Sequence, residues 1–153
     1  NFVEIFRNLL KDFDGSWNIA FMNADGKMVA VRDPSGLKPM CYGVSDDDLL
    51  VFASESVVLS NLQIESHDLN PGEMIIADEN GFTIKKYTEI EKTSYCFFEW
   101  IYFAHLASVM DGESVYRVRE RIGEELAKEE VNFHYSYLQY GYNCGYFNKN
   151  LCC

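Results

Sequence analysis

Arg32-Asp33-Pro34-Ser35-Gly36-Leu37-Lys38-Pro39, with Ala53-Ser54-Glu55-Ser56 after it, is the stretch from which the rest of the chain can be read. It follows an apolar run, Met28-Val29-Ala30-Val31, whose composition predicts a buried strand. Pro34 and Pro39 fix φ and each remove a backbone donor, while Gly36 is free to take a positive φ. The eight residues therefore predict a rigid turn that closes a buried strand and leads into further short strands.

The flanking sequence extends this pattern in both directions. Upstream, Phe2, Ile5, Phe6, Leu9, Leu10 and Phe13 recur at helical spacing, which predicts an amphipathic helix broken by Asp14-Gly15. Residues 16–22 then read as a strand with Trp17, Ile19 and Phe21 on one face, and Asn23-Ala24-Asp25-Gly26 supplies hairpin chemistry before the strand 27–32. Downstream, strands are expected over 49–53, 74–77 and 82–87, with a short helix over 55–62 and turns at Asn70-Pro71-Gly72-Glu73 and Glu79-Asn80-Gly81. Antiparallel strands with a flanking helix or two give an α+β class, not an alternating parallel sheet. The absence of an initiator Met, with a helical pattern starting at once, suggests a fragment of a longer chain.

Composition narrows the function. The chain has 153 residues, 48% of them hydrophobic and 24% charged, as in an ordinary globular protein. Its formal net charge of −11 argues against gripping nucleic acid or an anionic membrane, both of which need clustered Lys and Arg. No apolar run approaches the ~18–20 residues of a membrane span, and the first residues lack the pattern of a signal peptide. The cysteines are Cys41, Cys96, Cys144, Cys152 and Cys153; an odd number without paired spacing reads as reduced thiols in a cytoplasmic setting.

Beyond residue 90 the character changes. Residues 96–106 form a dense aromatic run, expected to be a buried helix or strand at a domain junction, with His105 packed within it. Asp111-Gly112 turns the chain into a helix over 114–129. There Glu113 with Arg117, and Arg121 with Glu125, are spaced to pair. Arg117, Arg119 and Arg121 have glutamates among and around them (Glu113, Glu120, Glu124 and Glu125), as on a solvated face. Residues 131–153 hold five of the ten tyrosines, three of the five cysteines and one charged residue, Lys149. They are expected to be an out-of-frame or read-on product of an AT-rich gene, or a disordered aromatic tail.

The Arg32-to-Pro39 and Ala53-to-Ser56 motifs resemble the glutaminase domain of the amidotransferases whose nucleophile is the first residue of the chain. Several enzymes share that domain, asparagine synthetase among them. The downstream residues choose between them. Cys96-Phe97-Phe98-Glu99-Trp100-Ile101-Tyr102-Phe103-Ala104, then Ser108, Asp111-Gly112, Ser114-Val115-Tyr116, Arg119, Gly123 and Leu126, are similar to the linker of the amidophosphoribosyltransferases. Asn70-Pro71-Gly72-Glu73 fits the same family. His105-Leu106-Ala107 departs from it, standing where many members read Arg-Pro-Asp.

The resemblance implies an incomplete four-layer α-β-β-α N-terminal-nucleophile hydrolase sandwich. Residues 1–92 would be the back half of the glutaminase domain, and 93–130 a linker with the first helix of a phosphoribosyltransferase domain. It also implies that the parent hydrolyses glutamine with an N-terminal cysteine and passes ammonia to phosphoribosyl pyrophosphate, using Mg²⁺ and, in some members, a [4Fe–4S] cluster. The parent would be a homo-oligomer without nucleic-acid or membrane partners. Asn1 is no nucleophile, so no catalytic residue is carried over. Cys96 stands where the first cluster ligand would lie, but one cysteine holds no cluster. Two other readings stay open: another amidotransferase of the same class, or a non-catalytic scaffold pairing through open strand edges.

Overall fold

A computed structural model of the chain describes residues 1–89 and 93–129. Expectations for 131–153, Cys144, Cys152 and Cys153 included, lie outside the described residues. Asn1 caps helix α1 (Phe2–Leu9) through its side-chain oxygen, which accepts from the Val3 N–H at 3.2 Å. The helix stops short of the expected Phe13 because Leu10 to Phe13 tighten into turns before Gly15, at φ +80°. Strands β1 (Asn18–Met22), β2 (Met28–Arg32), β3 (Cys41–Val44) and β4 (Leu50–Ala53) follow. After helix α2 (Ser56–Asn61) come β5 (His67–Asp68), β6 (Glu73–Asp78) and β7 (Gly81–Lys86).

The strands make two antiparallel sheets, ordered β1-β2-β6-β7 and β4-β3-β5. Alternation along each strand assigns its neighbours. Val29 and Val31 of β2 and Met74 of β6 point toward α1, where they bury Phe6 and Tyr87. Ala30 and Ile75, on the opposite face, meet Tyr42, Leu50 and Phe52 of the second sheet and Met40 and Leu69, which flank its strands. Cys41, Val51 and Ala53 point outward again, onto Leu59 of α2 and Ile64. The layers therefore run α1, first sheet, second sheet, α2, as the resemblance implied. Val29, Ala30 and Val31 are wholly buried because β2 is covered on both faces, each valine contributing about 1.5–3 kcal/mol.

Beyond the sandwich, Glu99–Phe103 forms a π-helical turn closed by the Ala104 N–H on the Glu99 carbonyl at 2.9 Å. A two-residue hairpin, β8 (Val109–Met110) with β9 (Glu113–Ser114), leads into helix α3 (Val115–Glu129). Ala104, Met110 and Val115 make a small core there, with Trp100 against it. The expectation of a buried aromatic run is overturned. Phe97, Phe98, Ile101, Tyr102 and Phe103 are 42–71% exposed, because here only Ala104 is buried and Trp100 partly buried in the small core with Val115, and the other rings are left outside. His105 is likewise exposed, not packed.

Candidate functional site

β2 delivers Arg32 to the end of the first sheet, on the face shared with Ala30, where the guanidinium is covered by the turn that follows. Its five N–H groups all find acceptors. Nε donates to the Lys38 carbonyl at 3.0 Å, and Nη1 to the Leu69 carbonyl and to Asp111 Oδ1, both at 2.8 Å. Nη2 donates to the Gly36 carbonyl at 3.0 Å and to Asp111 Oδ2 at 3.1 Å. The Asp111 pair is bidentate, the geometry that the planar guanidinium fork suits. Asp111 reaches it from the β8–β9 turn at φ +48°, a left-handed position that Asp tolerates.

The neighbouring residues hold this arginine in place. The Tyr87 hydroxyl donates to the Arg32 carbonyl at 2.7 Å, and burial, followed by the nearby Asp33 charge, pushes that phenol well above its ordinary pKa. Asp33 accepts from the Ser35 N–H at 3.1 Å, from the Ser35 hydroxyl, and from the Ser16 hydroxyl at 3.4 Å. Its carbonyl takes the N–H groups of Gly36 and Gly72. Gly36 sits at φ +63°, and a Cβ there would collide with Pro71, so the turn requires glycine on two counts.

The second motif faces the same segment. Glu55 precedes α2 but does not cap it; instead Oε2 accepts from the His105 N–H at 2.7 Å and the Ser108 hydroxyl at 2.8 Å. Ser56 Oγ accepts from the Val109 N–H at 2.7 Å. Asp68 on β5 accepts from the Gly112 N–H at 3.1 Å, and burial, then repulsion from Asp111, raises its carboxyl above the usual range. Residues 94 and 96 pair by backbone with Ser35 and Leu37, and Lys38 forms an ion pair with Glu99. The two motifs therefore build one polar cradle, and its occupant is the segment from Ser94 to Gly112.

Several expected residues take other roles. Arg119 leaves the solvated face assigned to it: it is 8% exposed, with Nε donating to the Trp100 carbonyl at 2.6 Å and Nη2 to the Ala104 carbonyl at 2.8 Å. Glu113 pairs with Arg121, not Arg117, since it belongs to β9 and approaches the helix from its side. Arg117 lies 3.8 Å from Glu120, and Glu125 takes Lys128. Cys96 is half-buried beside the Leu37 backbone, while Cys41 sits in the core under α2, its thiol pushed up by burial. Among the described residues no His, Cys, Asp or Glu cluster could hold a metal ion. These two separated cysteines do not fit an iron–sulfur cluster. No helix among them is long and apolar enough to cross a membrane.

Comparison with known proteins adds the following. The profile of the glutamine amidotransferases class-II matches residues 1–99. The amidophosphoribosyltransferase of Methanocaldococcus jannaschii is 36% identical over 143 residues, covering 83% of this chain and 30% of the relative. That of Pyrococcus horikoshii is 36% identical over 126 residues, covering 82% of this chain and 27% of the relative. The chain thus spans less than a third of the length of the curated relatives it matches. Among solved structures, the glutamine phosphoribosylpyrophosphate amidotransferase of B. subtilis, complexed with ADP and GMP, superposes with a TM-score of 0.74 at 28% identity, covering 84% of this chain and 28% of that one. A structure described as the allosteric regulatory enzyme of purine biosynthesis gives 0.76 at 28% identity, covering 86% and 28%.

Proposed function

The chain belongs to the class-II glutamine amidotransferases, and on that premise we propose that it is part of an amidophosphoribosyltransferase. The longer protein would release ammonia from glutamine and use it to displace pyrophosphate from phosphoribosyl pyrophosphate, giving phosphoribosylamine. The observation that carries this reading is where the likeness continues. The amidotransferase profile stops at residue 99, whereas likeness to the phosphoribosyl enzymes covers more than four fifths of the chain. We place residues 1–92 in the glutaminase sandwich and 93–130 in the linker with the first helix of a phosphoribosyltransferase domain, a division supported by the separate small core of Trp100, Ala104, Met110 and Val115.

Within that protein these residues would supply framework, not chemistry. Cys41 is buried, and burial disfavours the thiolate a nucleophile needs. Cys96 would be one cluster ligand in a parent that holds a cluster, but the described residues do not complete such a site. The reading is tested on the longer protein by following pyrophosphate. Release that requires glutamine and phosphoribosyl pyrophosphate together is expected. Release that instead requires ATP and aspartate would replace it with the asparagine synthetase reading. The 153-residue chain alone should free no ammonia from glutamine above a blank.

A further inference from the structure

The two motifs that carry the family likeness hold no catalytic group here, yet both are spent on one segment. We propose that Glu55 is a positioning residue: it pins the turn 104–109 to the sandwich, and through that turn fixes where α3 lies. The inference stands on the geometry and does not depend on the reaction proposed above.

The connections run in series. One carboxylate oxygen of Glu55 receives both the His105 N–H and the Ser108 hydroxyl. Ser108 is wholly buried, and its carbonyl accepts the Val115 N–H at the first residue of α3, 3.0 Å away. On the far side of the same turn, Arg119 of α3 holds the carbonyls of Trp100 and Ala104. The turn is therefore bracketed by an anion from the sandwich and a cation from the helix. The apolar contact inside it is small, confined to Trp100, Ala104, Met110 and Val115. Placement of so lightly buried a unit falls to its directional bonds. On the sandwich side, Ser35 and Leu37 take the N–H groups of residues 94 and 96, Lys38 pairs with Glu99, Ser56 takes the Val109 N–H, and Arg32 and Asp68 hold Asp111 and Gly112; Glu55 is the group that makes two bonds within 105–108.

The test is amide hydrogen exchange, read by peptide, on the whole chain carrying Glu55→Ala or Glu55→Gln. If Glu55 positions the turn, amides of 104–119 exchange about tenfold faster or more in Glu55→Ala, as loss of charge-assisted bonds would give, while 28–32 and 73–78 keep their protection. Glu55→Gln, which keeps an acceptor oxygen without the charge, should fall between. Unchanged protection of 104–119 in Glu55→Ala overturns the proposal. So does a parallel loss of protection in both sheets, which would make Glu55 a residue of general stability. Should Glu55→Ala fail to fold, Ser108→Ala removes one of the two bonds and must show the same pattern in smaller degree; without it the proposal falls.

Discussion

Replacing Arg32 with Lys keeps the charge and the length of the side chain nearly intact, and it should still be among the costliest substitutions in this chain. Five N–H groups of Arg32 meet three carbonyls and both oxygens of Asp111, on chain segments that approach from different directions. An ammonium has three donors on one atom, so at least two acceptors lose their partner around a side chain that bulk solvent does not reach: Arg32 is wholly buried. Each buried group left unpaired costs about 1–3 kcal/mol, so two of them put the substitution at about 2–6 kcal/mol. Against a typical domain stability of ~5–15 kcal/mol this is a large share. Urea unfolding followed by circular dichroism is the assay, and with a mid-range slope of ~2 kcal/mol/M the midpoint should fall by roughly 1–3 M. Asp111→Ala should cost about as much or more, since it leaves a buried cation without its counter-charge. The Arg32→Met, Asp111→Leu pair should cost clearly less than the sum of its single changes. A midpoint for Arg32→Lys within about 0.2 M of the parent, inside the range of a surface change, would refute the idea that the whole fork is used.

Three further outcomes follow from the same cradle. Gly36→Ala must place a Cβ against Pro71 at a positive φ, and should lower the unfolding midpoint by an amount worth about 1–3 kcal/mol. Tyr87→Phe strands the Arg32 carbonyl and should cost about 1–2 kcal/mol at neutral pH. Because the folded phenol titrates above the unfolded value of ~10, the folded state holds its proton longer, so parent stability falls as pH rises past that point; the variant should lack this component, as urea titrations at two alkaline pH values would show. Asp68 has the opposite habit to most carboxylates: its folded pKa is raised, so its contribution to stability grows as pH falls through that value toward the unfolded one near ~4. Asp68→Asn keeps an oxygen for the Gly112 N–H, should be neutral or stabilising at pH 7, and should flatten that acid-side gain in a thermal-melt series.

Most of the sandwich was legible because its strands are long enough to show alternation. β2 is continuous in apolar residues since both faces are covered, and β6 shares that property at Met74 and Ile75. β5, β8 and β9 have two residues each, too few for any period, although the Asp111-Gly112 turn between the last two was clear. The π-helical turn has no sequence period of its own, which is why its rings were expected inside. The spacing of Arg119 does carry a signal. Residues two apart on a helix face different ways, so Arg117, Arg119 and Arg121 could not share one surface, and Arg119 falls in line with buried Val115 four residues earlier. Asp111, the counter-charge of Arg32, and the partners of Glu55 were invisible for a different reason: they lie 79 and 50 or more residues away, and nothing local marks them.

The cradle also accounts for the exposed aromatics. A segment can be fixed to a domain by burying its apolar side chains or by bonding its backbone and polar groups. From Ser94 to Gly112 the second means predominates, with carboxylates of Glu55, Asp68 and Asp111, the Ser56 hydroxyl and the Arg32 fork making the attachment. Apolar burial is non-directional and would tolerate sliding, whereas these bonds admit one placement. Because the polar edge of the segment is the one consumed, Phe97, Phe98, Ile101, Tyr102 and Phe103 are left facing outward, their positions set by contacts in which none of their rings is needed. Lys38 marks the boundary between the two edges: it pairs with Glu99 while its ammonium lies 5.4 Å from the centre of the Phe103 ring. Truncating the outer rings should therefore leave the placement of α3 untouched, while truncating Glu55 should not, and that asymmetry follows from which side of the segment holds it to the sheets.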